Sequence, residues 1–117
     1  MLKSNDASWI NTCVDTTFVK IYVDVKCKWE GIAPDYRIYV NDELFSERTY
    51  SWEDPVYLTE ILQINGQVDQ PHRVHLETVG PQLAEFTLVE PRVAYCDKNV
   101  QIFPADKPKE FMFRVTQ

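Results

Sequence analysis

From Thr17 to Trp29 the chain alternates without a break. Val19, Ile21, Val23, Val25, Cys27 and Trp29 fall on one parity, and Phe18, Lys20, Tyr22, Asp24, Lys26 and Lys28 on the other. A period of two sends successive side chains to opposite faces, so this spacing predicts a long β-strand with one dry and one wet face. The stretch from Gly31 to Pro34 breaks it. Tyr36, Ile38 and Val40 resume a second strand whose other face carries Arg37 and Tyr39. Asn41-Asp42 tolerates positive φ, which predicts a tight hairpin into residues 43–50. There Leu44 and Phe45 are mixed with Glu47 and Arg48, the composition of an edge strand kept soluble by charge.

Residues 56–64 fit two periods, because Leu58, Ile61 and Leu62 also suit a short helix. We read a strand there, since β-branched and aromatic residues bracket it, and expect Asn65-Gly66 to turn the chain. Residues 72–79 place Val74 and Leu76 inside and His75 and Glu77 outside, and Gly80-Pro81 reverses direction. Ala84, Phe86 and Leu88 share a face of the next strand. Pro91 in that run implies an edge or a bulge, because proline cannot donate to a ladder. Asp97-Lys98-Asn99 is the next turn. Residues 104–108 are expected to cross over before Phe111, Phe113 and Val115 close the sheet.

Roughly eight strands at such turn spacings predict an all-β fold, an antiparallel β-sandwich or jelly roll. The expected interior is Val19, Ile21, Val23, Val25, Ile38, Val40, Val74, Leu76, Phe86, Leu88, Phe111 and Phe113. Residues 1–16 are expected to form a tail, which Trp9 and Ile10 would tie to the body, and residues 17–117 a single domain.

A chain of 117 residues with 44% hydrophobic residues buries enough surface to fold without a metal or disulfide. The net charge of −6 without a basic run opposes nucleic acid, whose affinity comes from neutralised phosphates, and disfavours an anionic membrane surface. The N-terminus has no apolar h-region, and no stretch approaches the ~18 apolar residues of a membrane span. The expectation is therefore cytoplasmic synthesis without signal or anchor. Cys13, Cys27 and Cys96 lack metal-ligand or paired spacing and are expected to be reduced thiols.

Catalytic chemistry finds little support, and we expect neither an enzyme nor a cofactor. His72 and His75 lie three apart on a strand, point to opposite faces and cannot share an ion. The acidic pairs Asp42-Glu43 and Glu53-Asp54 fall in turns, where carboxylates solvate the chain and bond to local backbone. They form no Asp-x-Asp-x-Asp-Gly calcium loop. The aromatic residues are more informative. Phe18, Tyr22 and Tyr39 lie on wet strand faces beside Lys20, Asp24 and Arg37, and Tyr50, Trp52 and Tyr57 cluster near one loop. Exposed rings in a group suit sugar or protein contacts; a second sheet or a subunit covering them would make them core instead.

The run RIYVNDELFSERTYSW, with HRVHLETV and AEFTLVEPRV after it, resembles small β-sandwich carbohydrate-binding modules of the xylan-binding type. It also resembles short proteins of T4-like marine cyanophages. The first resemblance implies a non-catalytic module in which Tyr22, Tyr39, Trp52 or Tyr57 stacks on a glycan, with Arg37 and Asp24 as hydrogen-bonding partners. That family's acidic calcium loop has no counterpart here. The second implies a virion-associated assembly protein, homo-oligomeric, with the same rings buried between subunits.

Overall fold

The computed structural model describes residues 15–53, 56–80, 83–104 and 106–117. Eight strands make up its regular structure: β1 (Thr16–Trp29), β2 (Asp35–Val40), β3 (Glu43–Thr49), β4 (Leu58–Gln67), β5 (Pro71–Val79), β6 (Ala84–Cys96), β7 (Asn99–Pro104) and β8 (Glu110–Thr116). A three-stranded sheet in the order β4-β1-β6 faces a five-stranded sheet in the order β3-β2-β5-β8-β7, with every pairing within the sheets antiparallel. This is a β-sandwich. Of the tail expected at residues 1–16, residues 1–14, including Trp9, Ile10 and Cys13, lie outside the described residues. Thr16 already belongs to β1.

The chain changes sheet at the breaks. Gly31, at φ 81°, turns β1 toward β2 in a conformation that a side chain would disfavour. Asn41 and Asp42 make the β2–β3 hairpin at φ 52° and 67°, as the dipeptide predicts. Asn65-Gly66, by contrast, is not a turn: both residues stay in β4, opposite Phe18 and Thr17. A Cβ on Gly66 would lie 3.4 Å from His72 Nε2, so this glycine serves close packing. The chain turns at Asp69 instead, at φ 65°. Residues 104–108 do not cross over either, because β7 and β8 are neighbours in one sheet. The crossing from sheet to sheet occurs one turn earlier, between β6 and β7.

Pro91 sits as expected on an edge strand and at a bulge. The register between β1 and β6 shifts twice, once between Tyr22 and Asp24, where Glu90 takes φ 52°. The extra residue keeps Arg92 opposite Tyr22 on the outer face.

All the residues expected inside are buried except Leu88, which is half-buried against the core. Each buried aliphatic or Phe side chain contributes about 1.5–3 kcal/mol, so the β1 row alone anchors the three-stranded sheet. The core also takes Tyr36, Tyr50, Leu62, Ile64, Val68 and Val115. One polar link crosses it. Glu60 of β4, 3% exposed, accepts from the Tyr36 hydroxyl at 2.5 Å and from Arg48 Nε at 2.7 Å. Burial and the neighbouring Glu60 carboxylate hold the Tyr36 phenol far above its ordinary range. A carboxylate from one sheet thereby fixes the position of the other.

His72, also buried, stacks on Phe113 and donates from Nε2 to the Gln67 carbonyl at 2.9 Å. Its Nδ1 is left to accept from Asn41 Nδ2 at 2.9 Å. Asn41 further bonds Arg73 through its own backbone N–H and its Oδ1, which locks the hairpin turn to β5.

Candidate functional site

Alternation places the polar parity of β1 on the outer face of the three-stranded sheet, and β4 and β6 extend that face on either side. Along β1 the outward residues Phe18, Lys20, Tyr22, Asp24, Lys26 and Lys28 meet Asn65, Gln63, Ile61 and Thr59 of β4. On the other flank they meet Tyr95, Arg92, Val89, Thr87 and Glu85 of β6. At ~3.3 Å per residue the row from Phe18 to Lys28 runs on the order of 30 Å.

At one end Phe18 and Tyr95 lie side by side, ring centroids 6.3 Å apart, and Ile61 stands opposite Tyr22 at the centre of the face. Phe18, Tyr95 and Ile61 are 41%, 52% and 48% exposed. At the other end Tyr57 is 47% exposed. Between them the face is cationic. Lys20 Nζ and the Arg92 guanidinium both lie over the Tyr22 ring at 5.8 Å, and Lys26 Nζ lies over Tyr57 at 5.4 Å. Beneath this layer Asp24, 5% exposed, accepts from Thr59 Oγ1 at 2.8 Å and from Arg92 Nη2 at 3.1 Å. Asp24 therefore works as an anchor for Arg92 and is covered from above. The Tyr95 hydroxyl donates to Asp97 at 2.5 Å, and that carboxylate raises the phenol's pKa.

The six residues proposed from sequence do not form one site. Tyr22, Asp24 and Tyr57 share the outer face of the three-stranded sheet. Arg37 and Tyr39 project from β2 on the opposite side of the sandwich, where Arg37 pairs with Glu47 at 3.1 Å. Tyr39 stacks there on His75 at 4.9 Å and 10°. Trp52 is half-buried, edge-on to Tyr50 and packed against the core. The loop cluster expected at Tyr50, Trp52 and Tyr57 has three fates, since Tyr50 is 1% exposed in the core and only Tyr57 reaches the outer face. Sequence reasoning missed Ile61, Arg92 and Tyr95. The signal was available for Ile61 alone, by alternation with Leu62; the bulges in β6 shift the parity on which Arg92 and Tyr95 depend.

Past Lys28 the face runs into a groove of about 690 Å³ lined by Cys27, Trp29, Glu30, Glu53 and Glu85. The Trp29 indole is held there by its N–H to the Trp52 carbonyl at 2.9 Å. Burial pushes the Cys27 thiol up to about 11, so it is a poor nucleophile at neutral pH. Among the described residues, no three His, Cys, Asp or Glu side chains gather as metal ligands, and no helix is long and apolar enough to cross a membrane. Comparison with protein-family models, curated proteins and solved structures finds no match to this chain.

Proposed function

We propose that the protein is a non-catalytic binding module that holds a polysaccharide along the outer face of the three-stranded sheet. One observation carries this reading: Phe18, Ile61, Tyr95 and Tyr57 remain 41–52% exposed on one outer face spanned by β1, β4 and β6, over a sheet whose other face packs into the core. Rings and aliphatic side chains spaced along one face offer flat apolar contacts to sugars of one chain, with hydroxyl and amine groups at their margins. The rigid strands beneath require little reordering on binding.

The test is retention on a panel of immobilised polysaccharides. Tyr57→Ala and Tyr95→Ala should each lower retention at least severalfold while still melting cooperatively as folded proteins, whereas Tyr39→Ala, on the opposite face, should leave retention intact. Equal retention of all three variants would refute the placement of the site.

A second reading, subunit assembly, is favoured by β3. Its neighbours Leu44 and Phe45 are 57% and 38% exposed on an edge strand, where unpaired backbone groups can template another chain. Light scattering decides it. A stable oligomer that Leu44→Lys converts to monomer would establish assembly through this edge, and a monomer throughout would remove it.

A further inference from the structure

We infer that the polymer held on this face is acidic, carrying carboxylate or sulfate groups on its sugars; this rests on the binding reading given above. The cations on the face are placed to meet an external anion. Among the described residues Lys20 and Lys26 have no ion pair, and each is held over a tyrosine ring. A ring orients an ammonium group without cancelling its charge, and its N–H donors stay available to a ligand. Arg92 spends one bond on the covered Asp24 and one on the Glu90 carbonyl, and its side chain remains 44% exposed.

These three cations lie between the apolar pair Phe18–Tyr95 and Tyr57, so a chain crossing the face would meet apolar contact, then positive charge, then apolar contact again. Lys28 stands at the far end beside its cross-strand neighbour Glu85. The arrangement is local, because the whole chain carries −6. It also argues against a single-stranded nucleic acid. Bases bind such sheets by stacking on open ring faces, and here the ring at the centre of the face, Tyr22, already carries Lys20 and Arg92 over it.

The experiment is affinity electrophoresis of the full chain in gels containing dextran, dextran sulfate, polygalacturonate or methyl-esterified polygalacturonate, with oligo-dT as the nucleic-acid arm. We expect retardation by at least one acidic polymer to exceed that by its neutral counterpart tenfold or more. It should fall severalfold from 50 to 200 mM salt and in Lys20→Gln/Lys26→Gln, and return in Lys20→Arg/Lys26→Arg. The two acidic arms distinguish sulfate from carboxylate. Equal binding to charged and neutral forms would overturn the inference while leaving the polysaccharide reading in place. Binding to no polysaccharide would overturn both, and a preference for oligo-dT would replace sugar by nucleic acid. A thermal melt of each variant checks that the fold is intact, which these solvent-facing positions should preserve.

Discussion

On the outer face of the five-stranded sheet, arginines meet carboxylates across the strands: Arg37 with Glu47, and Arg73 with both Asp42 and Glu110 at 3.1 Å. On the outer face of the three-stranded sheet, Lys20 and Lys26 meet tyrosine rings instead, and the one acid in the middle, Asp24, is covered. The same fold thus carries one face on which Arg37 and Arg73 are paired with carboxylates, and one on which Arg92 is paired with Asp24 while Lys20 and Lys26 are oriented by rings and left unpaired among the described residues. Exposed ion pairs contribute only about 0–1 kcal/mol each, so the first face gains solubility and register from its pairs more than stability. The second leaves donors and apolar surface for something outside the chain. The carboxylates differ accordingly. Those of the five-stranded outer face serve exposed pairs, and Asp24 and Glu60 of the three-stranded sheet sit inside and hold other side chains in place.

The largest effect should come from breaking that last distinction at Glu60. Glu60→Ala leaves the buried Tyr36 hydroxyl without its acceptor and frees Arg48, at a cost of about 2–3 kcal/mol. Adding Tyr36→Phe should recover part of that loss, because the orphaned hydroxyl then disappears. Urea unfolding of both single variants and the double variant measures it. Strict additivity would mean that the two groups are not coupled across the sheets.

Asp24→Asn should cost less, about 1–2 kcal/mol, since Arg92 is half in solvent and can rehydrate. Glu47→Gln, the matching change on the other face, should stay within about 0.5 kcal/mol. If the two midpoints shift equally, the contrast between covered and exposed acids has no energetic content.

The interior was legible in the sequence wherever a strand has one dry face, because a one-residue slip would expose the whole row. Val19 to Val25 on β1 and Phe111 to Val115 on β8 show this. Where parity fails, so does the reading. Tyr50 lies just past the end of β3, so no alternation marks it as core. Gly66 has the composition of a turn but is used to admit the His72 ring. The site was half legible, for a related reason. Alternation tells that Tyr22 and Tyr39 both face outward, yet not that their strands belong to different sheets, which puts them on opposite sides of the molecule. Sheet membership depends on long-range pairing, such as β1 with β4 and β6, that local pattern does not encode.

The inner faces, unlike the outer ones, treat their acids alike. Burial raises Cys27 of the three-stranded sheet from 9.0 to about 11 and raises Tyr36 of the five-stranded sheet still further. An acid whose pKa is raised on folding contributes fully below its unfolded pKa. Above that pH the unfolded chain ionises while the folded chain does not, and stability falls. Unfolding free energy should therefore decline from pH 9 upward, first through Cys27 and then through Tyr36. Cys27→Val should flatten the first part of that decline. The same burial should slow alkylation of Cys27 well below that of Cys96, which is only partly buried. Equal labelling rates of the two folded thiols, read by mass spectrometry, would contradict this.

The sharpest contrast of faces is expected at Tyr39. Its ring stacks on His75, and its hydroxyl reaches Glu77 only at 3.5 Å, so Tyr39→Ala forfeits one outer-face ring pair, about 0.5–1.5 kcal/mol, and little buried area. Tyr95→Ala gives up a comparable ring contact with Phe18 together with an exposed bond to Asp97. The two substitutions should thus be nearly matched in urea midpoint, and that match makes the pair informative. A difference in polymer retention between variants of equal stability cannot come from unfolding, and it must reflect which face the ligand touches. Retention lost with Tyr95→Ala and kept with Tyr39→Ala would assign binding to the three-stranded sheet. The reverse would assign it to the Tyr39–His75 pair and the arginines beside it, and self-paired charge would then no longer mark a face as idle.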